Sequence, residues 1–226
     1  MATHLTERAV AAQVQLYYDL SVPDGDGPHP LLLALHGYGA SKRQMLREAR
    51  QMAPDGWAVA ALQGLHQHIR DPKEAGGPLR FGFGWLTNFH AAESVALHHR
   101  FVLDVINELV REEIADARQV FLLGFSQTCA LNFRFAFTYA DVLRGVVGMC
   151  GGLPGDWDTN PHYQPTDADV FYLHGTNDEF YPPERVAGYA AQLRQRARSV
   201  EQRAYDAAHD FTPAMRADIK EWLQTH

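Results

Sequence analysis

Short apolar runs alternate with segments of helical periodicity along the chain. This alternation predicts an α/β fold in which helices cover both faces of a mostly parallel sheet. The central runs are apolar almost throughout, which is typical of strands buried on both faces. A turn-rich segment separates the first two runs and predicts that these two strands pair antiparallel. The predicted strands are residues 14–22, 31–35, 57–62, 119–124, 143–149, 170–173 and 200–205.

Several helices are predicted from capping residues and from apolar side chains that recur every three or four positions. Ser41 begins a capping-box pattern, in which the residue three positions later returns the hydrogen bond. Pro183 and the pair Thr212-Pro213 suit the first turn of two further helices. The longest helix is predicted over residues 91–113.

Two long segments, residues 63–90 and 151–169, fit neither period and are predicted to be irregular loops. Long loops in a compact domain are more often functional than idle. We therefore expect these two segments to shape whatever site the sheet carries.

Composition adds that the protein is globular. A chain of 226 residues, 46% of them hydrophobic, can bury one ordinary core, so we expect a single domain over residues 1–226. Its net charge of −7 offers no basic surface to a phosphate backbone, and nucleic acid is not an expected partner. Cys129 and Cys150 lie in apolar stretches and are expected to be buried, reduced thiols.

The first 20 residues lack the basic start and continuous apolar stretch of a signal peptide. No apolar run approaches the roughly 20 residues that a membrane-spanning helix needs. These features predict a cytoplasmic protein without integral membrane association, and they leave open whether it forms a homodimer.

Ser126 lies where a predicted strand runs directly into a predicted helix, within the sequence G-F-S-Q-T at residues 124–128. A sharp strand-to-helix turn of this kind projects a serine hydroxyl from the edge of the sheet and places the next amide at a helix N-terminus. Ser126 is therefore a candidate nucleophile. The alternative is a serine that only caps the helix.

Two downstream loops supply the partners that a nucleophilic serine needs. On α/β folds a carboxylate and then a histidine follow the serine, each in a loop after a strand. Asp178 lies in the loop after residues 170–173, and His209 lies in the loop before the last helix. Other acids are close in the sequence, but only Asp178 has the expected position after a strand. The other acids are Glu179, Asp206 and Asp210.

The transition state of acyl transfer also needs two amide donors for its oxyanion. The amide of Gln127, directly after the serine, is one candidate, and the glycine-rich loop after residues 31–35 supplies the other, which we assign to Tyr38. The alternative is that the glycines of this loop only permit a tight turn.

Four segments together resemble the phospholipase/carboxylesterase branch of the α/β-hydrolase superfamily, a branch of small serine esterases. They are L-H-G-Y-G, G-F-S-Q, H-G-T-N-D-E-F-Y-P-P and A-A-H-D, and the resemblance covers nearly the whole chain. It implies an α/β-hydrolase fold without a large cap domain, with Ser126, Asp178 and His209 as catalytic residues. It also implies the amides of Tyr38 and Gln127 as oxyanion donors, and hydrolysis of carboxylic esters or acyl thioesters without a cofactor.

The sequence departs from that branch at Thr128, where the branch usually has glycine. A β-branched side chain at a close helix–strand contact is expected to cost about 1 to 3 kcal/mol unless its neighbours are trimmed to fit, and such strain would loosen the turn. The departure motivates a second hypothesis, a catalytically silent binding protein that retains the fold. A peptidase of the same superfamily is a third.

Aromatic residues of the irregular loops are candidates for the walls of a substrate pocket, because such pockets are mostly apolar. Among the histidines, His36 and His174 each precede a glycine at a strand end and are expected to have structural roles. No histidine pair has the helical spacing typical of zinc enzymes, so no metal site is expected. The aromatic candidates are Phe83, Trp85, Phe89, Trp157, Phe180 and Tyr181.

Overall fold

A computed structural model describes residues 6–72, 74 and 76–226 of the chain. Residues 1–5, which belong to the segment searched for a signal peptide, and residues 73 and 75 of the first predicted loop lie outside the described residues. The described part contains nine strands and six helices. Their order is β1 (Tyr18–Ser21), β2 (His29–Leu35), α1 (Lys42–Met52), β3 (Ala58–Leu62), β4 (His66–Arg70), β5 (Arg80–Gly84), α2 (Ala91–Arg111), β6 (Ala115–Phe125), α3 (Gln127–Thr138), β7 (Gly145–Met149), β8 (Thr166–Gly175), α4 (Pro183–Val186), α5 (Tyr189–Leu193), β9 (Ala197–Tyr205) and α6 (Pro213–Thr225).

Seven strands form one sheet in the order β1-β3-β2-β6-β7-β8-β9. All neighbours are parallel except β1 and β3, which pair antiparallel with Leu20 opposite Ala60. The prediction that the first two strands pair with each other is therefore wrong. The strand β2 is almost entirely buried and lies between β3 and β6, whereas the half-buried β1 occupies the edge.

The two faces of the sheet bury separate clusters, because alternate residues of a strand point to opposite faces. In β2, Leu31, Leu33 and Leu35 pack under α2 and α3, while Leu32 and Ala34 pack under α1 and α6. This two-sided burial explains why the central strands were recognisable as continuous apolar runs. It also leaves the carboxyl ends of the parallel strands, with their loops, at one open edge.

The predicted caps of α1 and α6 are confirmed. Ser41 Oγ accepts a hydrogen bond from the Gln44 amide, and Thr212 Oγ1 accepts one from the Met215 amide. The single helix predicted after Pro183 is wrong, because the helix is interrupted at Ala187 and Gly188, whose dihedral angles stay in the right-handed helical region, and the segment forms the short helices α4 and α5. Glycine is a weak helix former, which accounts for the break.

A β-hairpin replaces part of the irregular loop predicted over residues 63–90. The strands β4 and β5 pair antiparallel, with Ile69 opposite Phe81, and form a separate two-stranded sheet. Five-residue strands give little periodic signal, and here β4 is mostly polar while β5 alternates with glycine, so neither was predicted. The alternation of glycine and larger residues in R-F-G-F-G is the signal that could have revealed β5.

Helix length and hydropathy within the described residues leave no candidate for a segment that crosses a membrane.

Two histidines of α2 lie in the core under the sheet. His98 is fully buried between Trp85 and His99, and neither of its ring nitrogens has a hydrogen-bond partner among the described residues. Burial, with a smaller contribution from His99, lowers the pKa of His98 to about 3. Burial, assisted by the charge of Arg134, lowers the pKa of His99 to about 4. Both imidazoles are therefore neutral in the folded protein at neutral pH.

We expect the free energy of unfolding to fall as the pH falls from about 6.5 toward 4, because the unfolded chain then binds protons that the buried histidines exclude. Replacing His98 with Phe should reduce this slope by up to about 1.4 kcal/mol per pH unit, whatever it does to stability at pH 7. Urea denaturation at several pH values measures the slope. The exposed His162, replaced with Gln, is the control, and equal slopes in H98F and the parent protein would contradict the expectation.

Candidate active site

Ser126 occupies the turn between β6 and α3 in a conformation rare for a residue with a side chain, with φ 58° and ψ −113°. Such backbone strain costs about 1 to 3 kcal/mol and persists only where the surroundings enforce it. The Ser126 amide donates to the Met149 carbonyl at 2.9 Å, and a Cβ on Gly151 would lie only 2.4 Å from the Ser126 carbonyl oxygen. The Ser126 hydroxyl makes no capping bond to α3, so its side chain is not used to begin the helix.

Asp178 and His209 meet at the same edge of the sheet. His209 Nδ1 donates to Asp178 Oδ2 at 2.8 Å, and the amides of Phe180 and Tyr181 both donate to Asp178 Oδ1 at 2.9 Å. Burial alone would raise the pKa of Asp178, but these hydrogen bonds together hold it below its ordinary value. The carboxylate is therefore charged and fully enclosed, and it fixes the orientation of the imidazole.

The other acidic candidates are engaged elsewhere or exposed. Asp206 accepts a hydrogen bond from Asn177 Nδ2 at 2.6 Å, and Asp210 accepts one from the Phe211 amide at 2.7 Å. Glu179 points to solvent beside Asp178. Among these four carboxylates, Asp178 is the one bonded to the His209 ring.

Aromatic rings bring His209 next to the turn that carries Ser126. The ring of Phe125, the residue before Ser126, lies 4.8 Å from the His209 ring, centroid to centroid. Phe180 and Tyr181 lie at 4.9 and 6.0 Å from it. Because Nδ1 is bound to Asp178, Nε2 is the ring nitrogen available to accept a proton.

The loop after β2 is held by His36, as expected of a structural histidine. His36 Nδ1 donates to the Gly37 carbonyl at 2.7 Å, and Nε2 accepts from the Gly64 amide at 2.9 Å. Burial lowers the pKa of His36 to about 4, which keeps the ring in the neutral form that both bonds require. Within the described residues the Tyr38 amide of this loop donates no backbone hydrogen bond, which leaves it available as a donor.

The hairpin packs one face against the same loop, which the sequence analysis did not foresee. The Gly39 amide donates to the Phe83 carbonyl at 2.8 Å, and Arg70 Nη1 donates to the Gly39 carbonyl, also at 2.8 Å. The Tyr38 ring stacks on the His68 ring with a centroid distance of 4.5 Å. The hairpin thereby fixes the backbone from which the Tyr38 amide projects.

Gln127 connects the strand-to-helix turn to the segment that leaves the hairpin. Its side chain accepts from the Trp85 amide at 2.9 Å and donates to the Leu86 carbonyl at 3.2 Å. Its own amide belongs to the first turn of α3, where helical amides have no intrahelical acceptor. The Gln127 amide therefore lies beside Ser126 in a residue whose side chain is held by two hydrogen bonds to the segment after the hairpin.

The six aromatic candidates for a substrate pocket separate into three groups. Trp85 is fully buried, with its indole nitrogen bonded to the His36 carbonyl, and Trp157 is buried against Phe137. These two support the loops from inside and do not form a wall of the kind predicted. Phe83 lies on the hairpin and Phe89 is exposed before α2, and neither ring contacts the His209 ring. The remaining two, Phe180 and Tyr181, do contact it.

Both cysteines are free and buried, as expected. Cys150, in a positive-φ conformation after β7, forms a group with Asp178 and His209 in which potential metal-ligand atoms lie within 4.8 Å of one another. Burial, with a further contribution from the Asp178 charge, raises the pKa of Cys150 to about 12. Burial also raises the pKa of Cys129, whose single thiol proton is shared between the Gly124 and Met149 carbonyls, 3.2 and 3.1 Å from Sγ. Both groups are therefore neutral thiols at physiological pH.

Comparison with known proteins identifies the family of the chain and its structural relatives. Residues 21–226 match the sequence profile of a family described as Phospholipase/Carboxylesterase. A carboxylesterase from Mesorhizobium loti is structurally similar, with a TM-score of 0.73 and 21% identity over 93% of this chain and 95% of the other. A Bacillus cereus carboxylesterase gives 0.70 and 18%, over 93% and 94%. A phospholipase/carboxylesterase from Dyadobacter fermentans gives 0.68 and 20%, over 93% and 97%.

No curated protein matches the sequence. At these identities the solved structures show the fold, which is the α/β-hydrolase fold expected from the sequence.

We expect both thiols to resist a disulfide reagent in the native protein and to react fully after denaturation. A pKa of about 12 leaves Cys150 about 10³-fold less thiolate at pH 8 than an ordinary cysteine. Colour release from dithiobis-nitrobenzoate at pH 8 measures the reaction. The variant Thr159→Cys, at an exposed position, is the control that should react at once. Fast reaction of a native thiol would contradict the burial described above.

Proposed function

Because the chain belongs to the phospholipase/carboxylesterase family, we propose that it is a serine esterase that hydrolyses carboxylic esters through an acyl-enzyme on Ser126. One observation carries this proposal above the others. Phe125, the residue that leads into the strained turn of Ser126, lies with its ring 4.8 Å from the His209 ring, which Asp178 holds by a 2.8 Å hydrogen bond. A serine, a histidine and a buried carboxylate in this relation are the parts that nucleophilic acyl transfer requires.

In the first half of the proposed reaction, Ser126 Oγ attacks the acyl carbon while His209 Nε2 takes its proton. Asp178, charged because of its three hydrogen bonds, stabilises the imidazolium that forms. The imidazolium then gives its proton to the leaving alcohol as the carbon–oxygen bond breaks. In the second half, water takes the place of the serine hydroxyl, and the acid is released with Ser126 restored.

The oxyanion of each tetrahedral intermediate is proposed to bind the amides of Tyr38 and Gln127. Preorganised amides contribute most when they need not move as the charge develops. The supports for this role are the His36 and hairpin contacts on the Tyr38 loop, and the tethered side chain of Gln127.

Phe180 and Tyr181 are proposed to contact the substrate, since both rings flank His209. Phe180 is more than half exposed, so part of its ring is free to meet an acyl chain or a leaving group. Acyl thioesters are included in the proposal, because the same residues would act on a thioester carbonyl.

The proposal extends to the rest of the chain. We propose that residues 1–226 form a single hydrolase domain, that it acts in the cytoplasm on small-molecule esters, and that the reaction needs no cofactor. The residues that carry the chemistry come from both ends of this range, since Tyr38 and His209 belong to the same site.

The variant Ser126→Ala is expected to lose labelling by a fluorophosphonate probe and to lose ester hydrolysis by at least about 10³-fold, because the nucleophile is gone. A panel of p-nitrophenyl esters from acetate to decanoate, an acyl thioester and a peptide anilide measures activity and its substrate class. Ser199→Ala, on the edge strand β9, is the control that should keep both properties. A folded parent protein that takes no label and cleaves no ester would favour the binding-protein hypothesis, and preference for the anilide would favour a peptidase.

The variant Asp178→Asn is expected to lower kcat/KM about 10³- to 10⁴-fold, because an amide no longer holds the imidazole in the tautomer that leaves Nε2 free. The variants Asp206→Asn and Asp210→Asn, at the neighbouring acids, should stay within about threefold of the parent protein. Steady-state measurement of kcat/KM on one ester for all three variants shows which carboxylate holds the imidazole. An equal loss in D206N would assign the carboxylate role elsewhere.

A further inference from the structure

Thr128 is fully buried in the first turn of α3, two residues after Ser126. A threonine here was expected to strain the turn, since the resembling family usually has glycine. Instead its hydroxyl is fully used: Thr128 Oγ1 accepts from the Phe125 amide at 2.9 Å. Its oxygen lies 3.0 Å from both the Leu35 and the Phe125 carbonyl oxygens, which share the single hydroxyl proton.

The hydroxyl stands between the ends of two neighbouring strands. Leu35 is the last residue of β2, and it is in register with Gly124, the residue before Phe125 on β6. Beyond this pair the strands diverge, one into the Tyr38 loop and the other into the Ser126 turn. Thr128 Oγ1 bridges the Phe125 amide and the Leu35 carbonyl, and so extends the connection between the strands by one step.

The side chain of Thr128 has room because another residue provides the close helix–strand contact. A Cβ on Gly124 would lie 3.0 Å from the Thr128 carbonyl and 2.7 Å from Asn132 Nδ2, so α3 already presses against β6 at that glycine. The Thr128 side chain is directed toward β2, where the Leu35 carbonyl accepts a hydrogen bond from its hydroxyl. The departure from the family pattern therefore introduces a hydrogen bond at this position.

The two proposed oxyanion donors flank this bridge. The Tyr38 amide follows Leu35 by three residues, and the Gln127 amide immediately precedes Thr128. The two segments are in close contact here, because a Cβ on Gly37 would lie 2.9 Å from the Phe125 ring and 3.2 Å from Ser126 Cβ. A shift of either strand end would change the separation of the two amides directly.

We propose that Thr128 is a positioning residue of the oxyanion hole, whose hydroxyl bridge between β2 and β6 sets the separation of the Tyr38 and Gln127 amides. The inference rests on the proposed function, because it concerns the geometry of that site. It assigns to a residue outside the catalytic set a specific task that a glycine at this position could not perform, since glycine has no hydroxyl.

The test compares the near-isosteric Thr128→Val, which lacks the hydroxyl, with Thr128→Ser, which keeps it. A misplaced donor costs transition-state binding and leaves ground-state binding alone. We expect T128V to lower kcat at least tenfold with KM within about twofold. The inhibition constant of an alkyl boronic acid, whose adduct with the serine mimics the tetrahedral intermediate, should rise by the same factor as kcat falls. T128S should remain within about threefold of the parent protein in all three quantities.

Controls separate positioning from folding. Thr138→Val, at the other end of α3, should leave kcat and the boronate constant unchanged. A purely structural role of Thr128 would lower the melting temperature of T128V and leave both constants unchanged at 20 °C, and that result would overturn the inference. If T128V does not fold, Thr128→Ala replaces it with the same expectation. Failure of both to fold would also overturn the inference, since the hydroxyl would then be a requirement of the fold.

The outcome is distinguishable from failure of the proposed function. A parent protein without esterase activity and without boronate binding would refute the serine esterase itself. An active parent protein with an equally active T128V would refute only the role of Thr128.

Discussion

The rest of the site depends on one constraint, the enforced turn at Ser126. A serine with a positive φ is held there by a hydrogen bond to β7, by the Thr128 hydroxyl beside β2 and by the Gln127 side chain beside Trp85. Each support comes from a different part of the fold. The surrounding strands therefore offset the strain of the Ser126 backbone, and the turn cannot relax without breaking several contacts at once.

The parallel sheet explains why the other functional groups lie near this turn. Parallel strands end at one edge, so the loops after β2, β6, β8 and β9 meet there although they are distant in the sequence. At this edge Asp178 remains charged although it is enclosed, since both of its carboxylate oxygens accept hydrogen bonds.

The central strands and the catalytic candidates could be predicted because their signals are local. Two-sided burial makes a strand such as β2 apolar at every position, and the order of Ser126, Asp178 and His209 follows from the topology. The hairpin could not be predicted in the same way, because its short strands are stabilised by contacts with a loop about 30 residues earlier in the sequence. The hydrogen bonds of Thr128 could not be predicted for the same reason. Its partner Leu35 is 93 residues away, and no local pattern reveals that a hydroxyl will find an acceptor there.

The hairpin of β4 and β5 is a sheet of its own, joined to the rest of the described structure around the Tyr38 loop. Its two strands pair with each other and with no strand of the seven-stranded sheet, so a change within the hairpin would remove none of the strand pairing of that sheet. The contacts that hold the Tyr38 loop and the hydrogen bonds that build the seven-stranded sheet are thereby carried by different strands. A change of sequence in the hairpin can therefore reach the Tyr38 loop while the strand pairing of the main sheet stays the same.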